Sequence, residues 1–397
     1  MEQSQWPETT YERRAFVPSA STAWGVRAGL GRAPIDYDSA VPPLIAKERV
    51  TLPASVVRAA EEATQELTRF DAENGSHIRS FAPVLLRSEA ASSSQIENLT
   101  ASARAIFSAE LGLKRSRNAE LIAANTRAMQ AAIDLSEAVD ASSILAMHEV
   151  LMSQQPRHAP GQWRDEAVWI GTRSDSPAGA EFVAPWHERV PALIDDLVAF
   201  AQRTDVSPLP LVAIAHAQFE TIHPFTDGNG RTGRALAQSL LRHLGVTRSV
   251  AVPVSAGLLA DIEGYHRALT AYRDGAPEQI VLAFARGSLR AVANARMLIE
   301  DIDAIRESWN DRLSARRNSN AWRILDELVS QPVITAASIA DTLGIERTNA
   351  YPPLRALVEA GILRSKEEHR LGPFWRSDEI LEAIDRFAER AGRRERR

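Results

Sequence analysis

A mainly α-helical protein, with one β-hairpin and a small C-terminal winged helix-turn-helix domain, is the fold class that this sequence predicts. Three observations carry the expectation. From about residue 53 apolar residues recur at helical spacing, as in Val56, Ala60, Ala63 and Leu67. One pair of short β-prone runs, Val168-Trp169-Ile170 and Glu181-Phe182-Val183, interrupts the helices. After Trp322, short helical runs give way to Gly361-Ile362-Leu363, a charged turn and Phe374-Trp375, the order of three helices and a two-stranded wing.

Composition narrows the class. With 397 residues, 45% hydrophobic and 24% charged, the chain has ordinary globular values and room for two or three domains. It has no cysteine, which excludes disulfides, thiolate catalysis and cysteine-type zinc sites. A net charge of −5 supplies no overall basic field for nucleic acid. No apolar run approaches the ~18 residues of a membrane span. Met1 to Arg14 lack the apolar middle of a signal peptide. A cytoplasmic protein without membrane contact is therefore expected.

The elements follow in order. Residues 1–50 are rich in Ser, Pro and Gly and read as an extended arm. Residues 51–300 form the helical core, with helical stretches at 119–136, 141–153, 188–203, 208–222, 232–244, 256–271 and 276–300. Within it, Gly171 to Ala180 is the long loop of the hairpin. A lone hairpin cannot build its own core, so it is expected to lie on the helices, either as a flap or as a mere connection. Residues 301–318 are charged and polar and read as a connecting helix and hinge. Residues 319–397 form the C-terminal domain, with helices at 321–330, 335–343 and 346–360.

The most informative segment is His223-Pro224-Phe225-Thr226-Asp227-Gly228-Asn229-Gly230-Arg231-Thr232-Gly233-Arg234. Its Gly228-x-Gly230-x-x-Gly233 formally matches a dinucleotide fingerprint, but that fingerprint requires a preceding strand. Here Leu211, Ala215, Phe219 and Ile222 make an apolar helical stripe instead. A second helix follows, with Leu236, Leu240, Leu241 and Leu244 on one face and Gly245 at its end. A glycine-rich loop between two helices aims backbone N–H groups and about half a positive charge at whatever lies before the second helix. Arg231 and Arg234 add forked cationic donors, so polyphosphate is the natural ligand. Asp227 would repel such a ligand unless a divalent cation such as Mg²⁺ joined them. His223 has the proton affinity to activate a hydroxyl beside an electrophilic phosphorus. Taken singly, a histidine at a helix end is more often a cap, Gly-Asn-Gly is usually a turn, and surface arginines are ordinary. Their presence within twelve residues favours a site.

The segment resembles the Fic family motif His-Pro-Phe-x-Asp-Gly-Asn-Gly-Arg-x-x-Arg, with every fixed position filled. Ala215-His216-Ala217-Gln218-Phe219-Glu220 before it and Gly264-Tyr265-His266 after it extend the likeness over roughly residues 50–300. The resemblance implies a helical bundle with a flap hairpin, and transfer of AMP from ATP to a Ser, Thr or Tyr hydroxyl of a target protein. His223 would then be the base and Asp227 the Mg²⁺ ligand. Gly228, Asn229, Gly230 and Arg231 would hold the α- and β-phosphates, with Gly233 beside them, and Arg234 would meet the γ-phosphate. Tyr265 would be the candidate for the base pocket. The hairpin would clamp the target segment by strand pairing. The Doc branch of the family, which phosphorylates, replaces the Gly-Asn-Gly-Arg portion that this chain keeps. Relatives often dimerise, so monomer and homodimer both stay open.

A second segment, Ser93-Ser94-Gln95-Ile96-Glu97-Asn98, places Ser93 and Glu97 four residues apart, on one face of a helix. Alone that is a solvated face or a cap. It resembles the inhibitory Ser/Thr-x-x-x-Glu-Gly/Asn pattern of the same family, in a helix near 88–100. The resemblance implies that Glu97 pairs with Arg234 and displaces the γ-phosphate, and in some relatives the same Glu supports AMP removal. For the C-terminal domain, DNA binding through the second helix is the alternative function, with the core as a nucleotide sensor. Pro352-Pro353 fall where that helix should run. From Ser319 to Arg397 there are 13 basic and 13 acidic residues, which favours a docking or dimerisation module equally.

Overall fold

A computed structural model of the chain describes residues 6–16, 35–73, 78–113, 116–171, 175–368 and 372–392. The chain starts with β1 (Thr10–Phe16) and β2 (Ile35–Val41), then α1 (Ala54–Glu73), α2 (Ile78–Ile96), α3 (Ala103–Glu110), α4 (Arg117–Asp134) and α5 (Ala141–Met152). Next come β3 (Trp169–Ile170), β4 (Phe182–Val183), α6 (Val190–Ala201), α7 (Pro208–Ile222), α8 (Asn229–His243), α9 (Val254–Leu259), α10 (Ile262–Arg273) and α11 (Pro277–Arg312). The last elements are α12 (Asn320–Ser330), β5 (Val333–Thr335), α13 (Ala336–Leu343), α14 (Arg347–Glu359), β6 (Arg364–Glu368), β7 (Gly372–Arg376) and α15 (Asp378–Gly392). Two compact units result: residues 1–61, 131–244 and 263–283, and residues 62–130, 245–262 and 284–397.

In the first unit α7 is the central element. Every residue from Leu209 to Ile222 is buried, not only the stripe read from the sequence. A helix apolar on most sides belongs in an interior. Its buried Gln218 is paired at both ends of the amide: it donates to Pro43 O at 2.9 Å and accepts from the Tyr272 hydroxyl at 2.8 Å. α8 is almost as enclosed, with Arg231 to Leu241 buried, and begins at Asn229, three residues earlier than its apolar pattern predicts. α6 packs on α7, and α5 and α7 pack on α8.

Within the segment read as an extended arm, residues 1–50, the described residues form two paired strands. β1 and β2 pair antiparallel, from Thr10↔Val41 to Phe16↔Ile35. In β2, Tyr37 and Ser39 are buried while Asp36 and Asp38 are exposed, the period of a half-buried strand. Trp6 ahead of β1 is 6% exposed and packs edge-on to Phe200, with ring centroids 6.5 Å apart. The β3–β4 hairpin forms as expected, with Trp169↔Val183 and Ile170↔Phe182. It rests on β2 rather than only on helices: Phe182, Ala184 and Val168 cluster with Ala40, and the Ser39 hydroxyl donates to Ala184 O at 3.0 Å. Two short hairpins thus share the burial that neither achieves alone. The notional loop residues 172–174 lie outside the described residues.

In the second unit α2 packs on α9, α12 and α15. Glu89, 1% exposed, accepts from the Ser255 N–H at 2.9 Å and from its hydroxyl at 2.6 Å, so this buried carboxylate is hydrogen-bonded as burial requires. The single helix expected at 256–271 is two, α9 and α10, separated at Ala260-Asp261. The separate connecting helix expected over 301–318 is the end of α11, which buries Ile302 and Trp309. α12, α13 and α14 are joined by an antiparallel sheet of order β5-β7-β6, in which β5 is a strand that the sequence reading did not foresee. α14 runs unbroken through Pro352 and Pro353. The prolines deprive the Thr348 and Asn349 carbonyls of helical partners, but both residues are exposed and water can serve them.

Candidate functional site

The site begins where α7 stops. His223 takes the left-handed conformation (φ 51°, ψ 60°), and its N–H still closes the helix onto Phe219 O at 2.9 Å. A left-handed residue is a common way to end a helix, and histidine is among the side chains that tolerate it. Its Nδ1 lies 3.3 Å from Glu220 O. A carbonyl only accepts, so Nδ1 carries the proton and the basic lone pair sits on Nε2. The ring is half-buried.

The loop that follows is held by its own side chains. Asn229 Oδ1 accepts from the Phe225 N–H and its Nδ2 donates to Phe225 O, both at 2.8 Å. The Asn229 amide is thus a clamp across the turn, and only its backbone remains to address a ligand. Gly228 sits at φ 79° as the N-cap of α8, a conformation that favours glycine. Asn229, Gly230 and Arg231 then occupy the first turn of α8, where N–H groups have no partner within the helix. Gly233 has another job: a Cβ there would lie 2.8 Å from Glu220 Oε1 and 2.9 Å from Phe219 Cδ1, so it permits the close approach of α8 to α7.

Asp227 is the exposed member, with 42% of its side chain accessible. Its Oδ1 accepts from the Gly228 N–H at 2.6 Å and lies 3.6 Å from Arg231 Nη2. Its Oδ2 is 3.7 Å from His158 Nε2. That nitrogen accepts from Arg157 Nε at 2.8 Å, so it bears a lone pair and its contact with Asp227 is not ionic. Arg231 and Arg234 are 5% and 3% exposed. Among the described residues no group of three or more His, Cys, Asp or Glu could hold a metal ion. A cation at Asp227 would have to draw its other ligands from phosphate and water, which is the habit of Mg²⁺. The exposed single carboxylate fits that use.

Two residues that the sequence reading missed hold this loop in place. The Gly161 N–H donates to His148 Nδ1 at 3.1 Å, so His148 Nε2 donates to Asp227 O, also at 3.1 Å. Burial pushes the His148 ring down to about 4, which keeps it neutral and in that tautomer. It stacks on Phe225 with centroids 3.6 Å apart. Arg164, 4% exposed, donates from Nε to His223 O at 2.8 Å, and its backbone N–H donates to Pro224 O at 3.0 Å. His148 lies in an apolar helical pattern and reads as core, and nothing in the spacing around Arg164 links it to a loop 59 residues away.

The remaining candidates sit as follows. Tyr265 is 3% exposed, and its hydroxyl is 2.7 Å from His216 Nε2, so it is a core residue bonded to the central helix. Ser93 is fully buried near the end of α2. Glu97 is exposed and lies one residue beyond α2, ahead of Asn98 at φ 61°. The helix expected near 88–100 ends at Ile96, and the Glu97 N–H still closes onto Ser94 O at 3.1 Å. Ser93 and Glu97 belong to the second unit, whereas His223, Asp227, Arg231 and Arg234 belong to the first.

Comparison with known proteins follows the same segment. Residues 138–241 match the model of the Fic/DOC family. "Protein adenylyltransferase fic-1" of Caenorhabditis elegans is 31% identical over 107 residues, which is 27% of this chain and 20% of that protein. "Protein adenylyltransferase Fic" of Drosophila willistoni is 30% identical over 102 residues, 26% of this chain and 19% of that protein. The chain thus spans about a fifth of the length of the curated relatives it matches. A Fic family protein from Desulfovibrio desulfuricans G20, known from its crystal structure, is similar in fold, with a TM-score of 0.50 and 22% identity over 83% of this chain and 97% of that one. Among the described residues no helix is long and apolar enough to cross a membrane. The loop from His223 to Arg234 and the helices α5 to α8 that carry it accordingly make residues 138–241 a Fic/DOC domain.

Proposed function

We propose that this chain transfers the AMP part of ATP to a Ser, Thr or Tyr hydroxyl of a protein target and releases pyrophosphate. The observation that supports this reading best is the short loop between two buried helices, which gathers one imidazole, one exposed carboxylate and the first amides of α8. In the reaction the target oxygen bonds to the α-phosphorus, the bond to the bridging oxygen of pyrophosphate breaks, and His223 Nε2 takes the hydroxyl proton. Gly228 to Arg231 offer backbone amides, and Arg231 and Arg234 offer guanidinium groups, to the phosphate oxygens. Asp227 would hold Mg²⁺, which when bound offsets phosphate charge. Fixed donors of this kind need no reorganisation when charge moves.

The test is transfer of label from α-labelled ATP to protein. Replacing a general base removes about 10²–10⁴-fold of rate. His223→Ala should lose that much transfer yet bind ATP with nearly unchanged affinity. Retained transfer would take the base role from His223. Restraint by Glu97 belongs to the same reading and rests on the pattern Ser93 to Asn98. Its pairing with Arg234 would compete with the γ-phosphate, so Glu97→Gly should raise labelling, including labelling of the chain itself. Unchanged labelling would remove the brake. A homodimer of this chain is compatible with the reading and is checked by its mass in solution.

One observation keeps DNA binding as a second reading. α14 is continuous, and Arg347, Thr348 and Asn349 are exposed in its first turn, where recognition helices contact bases. A gel shift with random duplex DNA that disappears on Arg347→Ala would favour it, and the absence of any shift would dismiss it.

A further inference from the structure

We propose that Arg164 is a positioning residue that sets the β3–β4 hairpin at a fixed height over His223, so that a hydroxyl held by the hairpin meets the base. The inference rests on the transfer reading above. Its ground is where the arginine sends its donors. Nε donates to His223 O at 2.8 Å and Nη1 to Glu166 O at 2.9 Å. Nη2 donates to Pro185 O and reaches Ile222 O at 3.4 Å. Glu166 lies just before β3, Pro185 lies just after β4, and Ile222 and His223 end α7. One planar fork therefore ties both legs of the hairpin to the turn that carries the imidazole.

The chemistry is specific to arginine. All four acceptors are neutral carbonyls, and among the described residues no carboxylate comes within ion-pair distance of the guanidinium. Burial lowers its basicity to about 10, so the group stays charged at neutral pH. A buried charge whose hydrogen bonds all go to carbonyls, with the Glu166 carboxylate acting only from farther off, is a costly way to fill space, and an apolar side chain would do that more cheaply. A guanidinium presents five donors in a rigid plane, whereas an ammonium is a compact point that cannot span the same acceptors. The hairpin's bond from Ser39 to Ala184 O holds it to β2 and does not touch His223. Arg164 is the link that relates hairpin height to base position. Proton transfer needs heavy atoms ~2.6–3.2 Å apart, and a displacement of about 1 Å can cost ~10²-fold in rate.

The experiment uses the full chain, Arg164→Lys, Arg164→Ala and Ser39→Ala, with two readouts. Amide hydrogen exchange comes first. In Arg164→Lys, segments 166–171, 181–185 and 222–225 should lose protection together, while the first turns of α7 keep theirs. In Ser39→Ala only the hairpin should loosen. The second readout is labelling of the chain itself from α-labelled ATP in a Glu97→Gly background. Arg164→Lys should lower it ~10²-fold, with the affinity for a fluorescent ATP analogue within about twofold. Guanidinium ion at millimolar concentration should restore part of the loss in Arg164→Ala and none in Arg164→Lys. The inference is overturned if the hairpin loosens without 222–225, if Ser39→Ala loosens 222–225 as much as Arg164→Lys does, or if folded Arg164→Lys labels normally. Failure of the transfer reading looks different: the parent and its His223→Ala variant would label alike, whatever Arg164 does to exchange.

Discussion

Two pairs of glycines, one in each compact unit, look alike in composition and do different work. In the first unit Gly228 and Gly233 lie at and just beyond the start of α8. In the second, Gly257 of α9 meets Gly287 of α11. A Cβ on Gly257 would stand 1.8 Å from Gly287 O and 2.5 Å from its carbonyl carbon, which no side-chain movement can relieve. A Cβ on Gly228 would meet Met152 Sδ at 3.1 Å and Leu151 Cδ2 at 3.2 Å, both ends of flexible side chains, and the main obstacle there is φ 79°. The difference teaches that backbone proximity in the second unit is a matter of packing alone, whereas in the first Gly228 shapes the turn into α8 and Gly233 lets α8 approach α7.

The largest effect on stability is therefore expected at Gly257. Overpacking usually costs ~1–3 kcal/mol, and a clash with backbone belongs at the top of that range or above it. Gly257→Ala should melt well below the parent in a thermal scan, yet the molecules still folded should transfer AMP at the parent rate. A fall in rate per folded molecule would break the comparison, because it would give the α9–α11 contact a share in the chemistry.

Gly228→Ala should be the milder lesion to the fold and the sharper one to function. Left-handed backbone costs an alanine roughly 1–2 kcal/mol. The same strain would tilt the first amides of α8, so labelling from ATP should fall further than the loss of folded protein explains. Equal losses in the two measurements would reduce Gly228 to a packing residue like Gly257.

The contrast also explains what the sequence made legible. Segment 223–234 is contiguous, so the residue types that face one ligand sit side by side and their chemistry can be read in order. Helices with a one-sided apolar stripe were equally plain. α7 was recognised from its stripe, but its burial on all sides was not, because His216, Gln218, Glu220 and Thr221 look like a polar face until their partners are seen. The alternation in β2 was present in Tyr37 and Ser39 against Asp36 and Asp38, yet it was masked by the Pro- and Gly-rich stretch before it. His148 and Arg164 act on the loop from 79 and 59 residues away, and Gly257 and Gly287 meet across 30 residues, and no local pattern encodes such pairings.

At neutral pH one further effect is silent, and it separates the two units only on acidification. The atoms that a Cβ on Gly257 would strike are backbone atoms of Gly287, so the clash itself does not titrate and the defect of Gly257→Ala should be the same at pH 7 and pH 5. The first unit contains His216, fully buried in α7 and pushed down to about 3, chiefly by burial and further by the charge of Arg234, against an opposing hydrogen bond at Gly233. Tyr265 faces it at 2.7 Å and Glu220 at 3.9 Å, and because the ring is neutral the contact with Glu220 is not an ion pair at neutral pH. A histidine whose folded value lies below its unfolded value of ~6.5 is protonated first in the unfolded chain. Its stabilising contribution is complete above that unfolded value. It declines as pH falls toward the folded value, by up to about 1.4 kcal/mol per pH unit. Between pH 6.5 and 4.5 the melting temperature of the parent should fall more steeply than that of His216→Gln, which cannot take up the proton. Parallel slopes would mean that His216 finds a way to be charged inside α7.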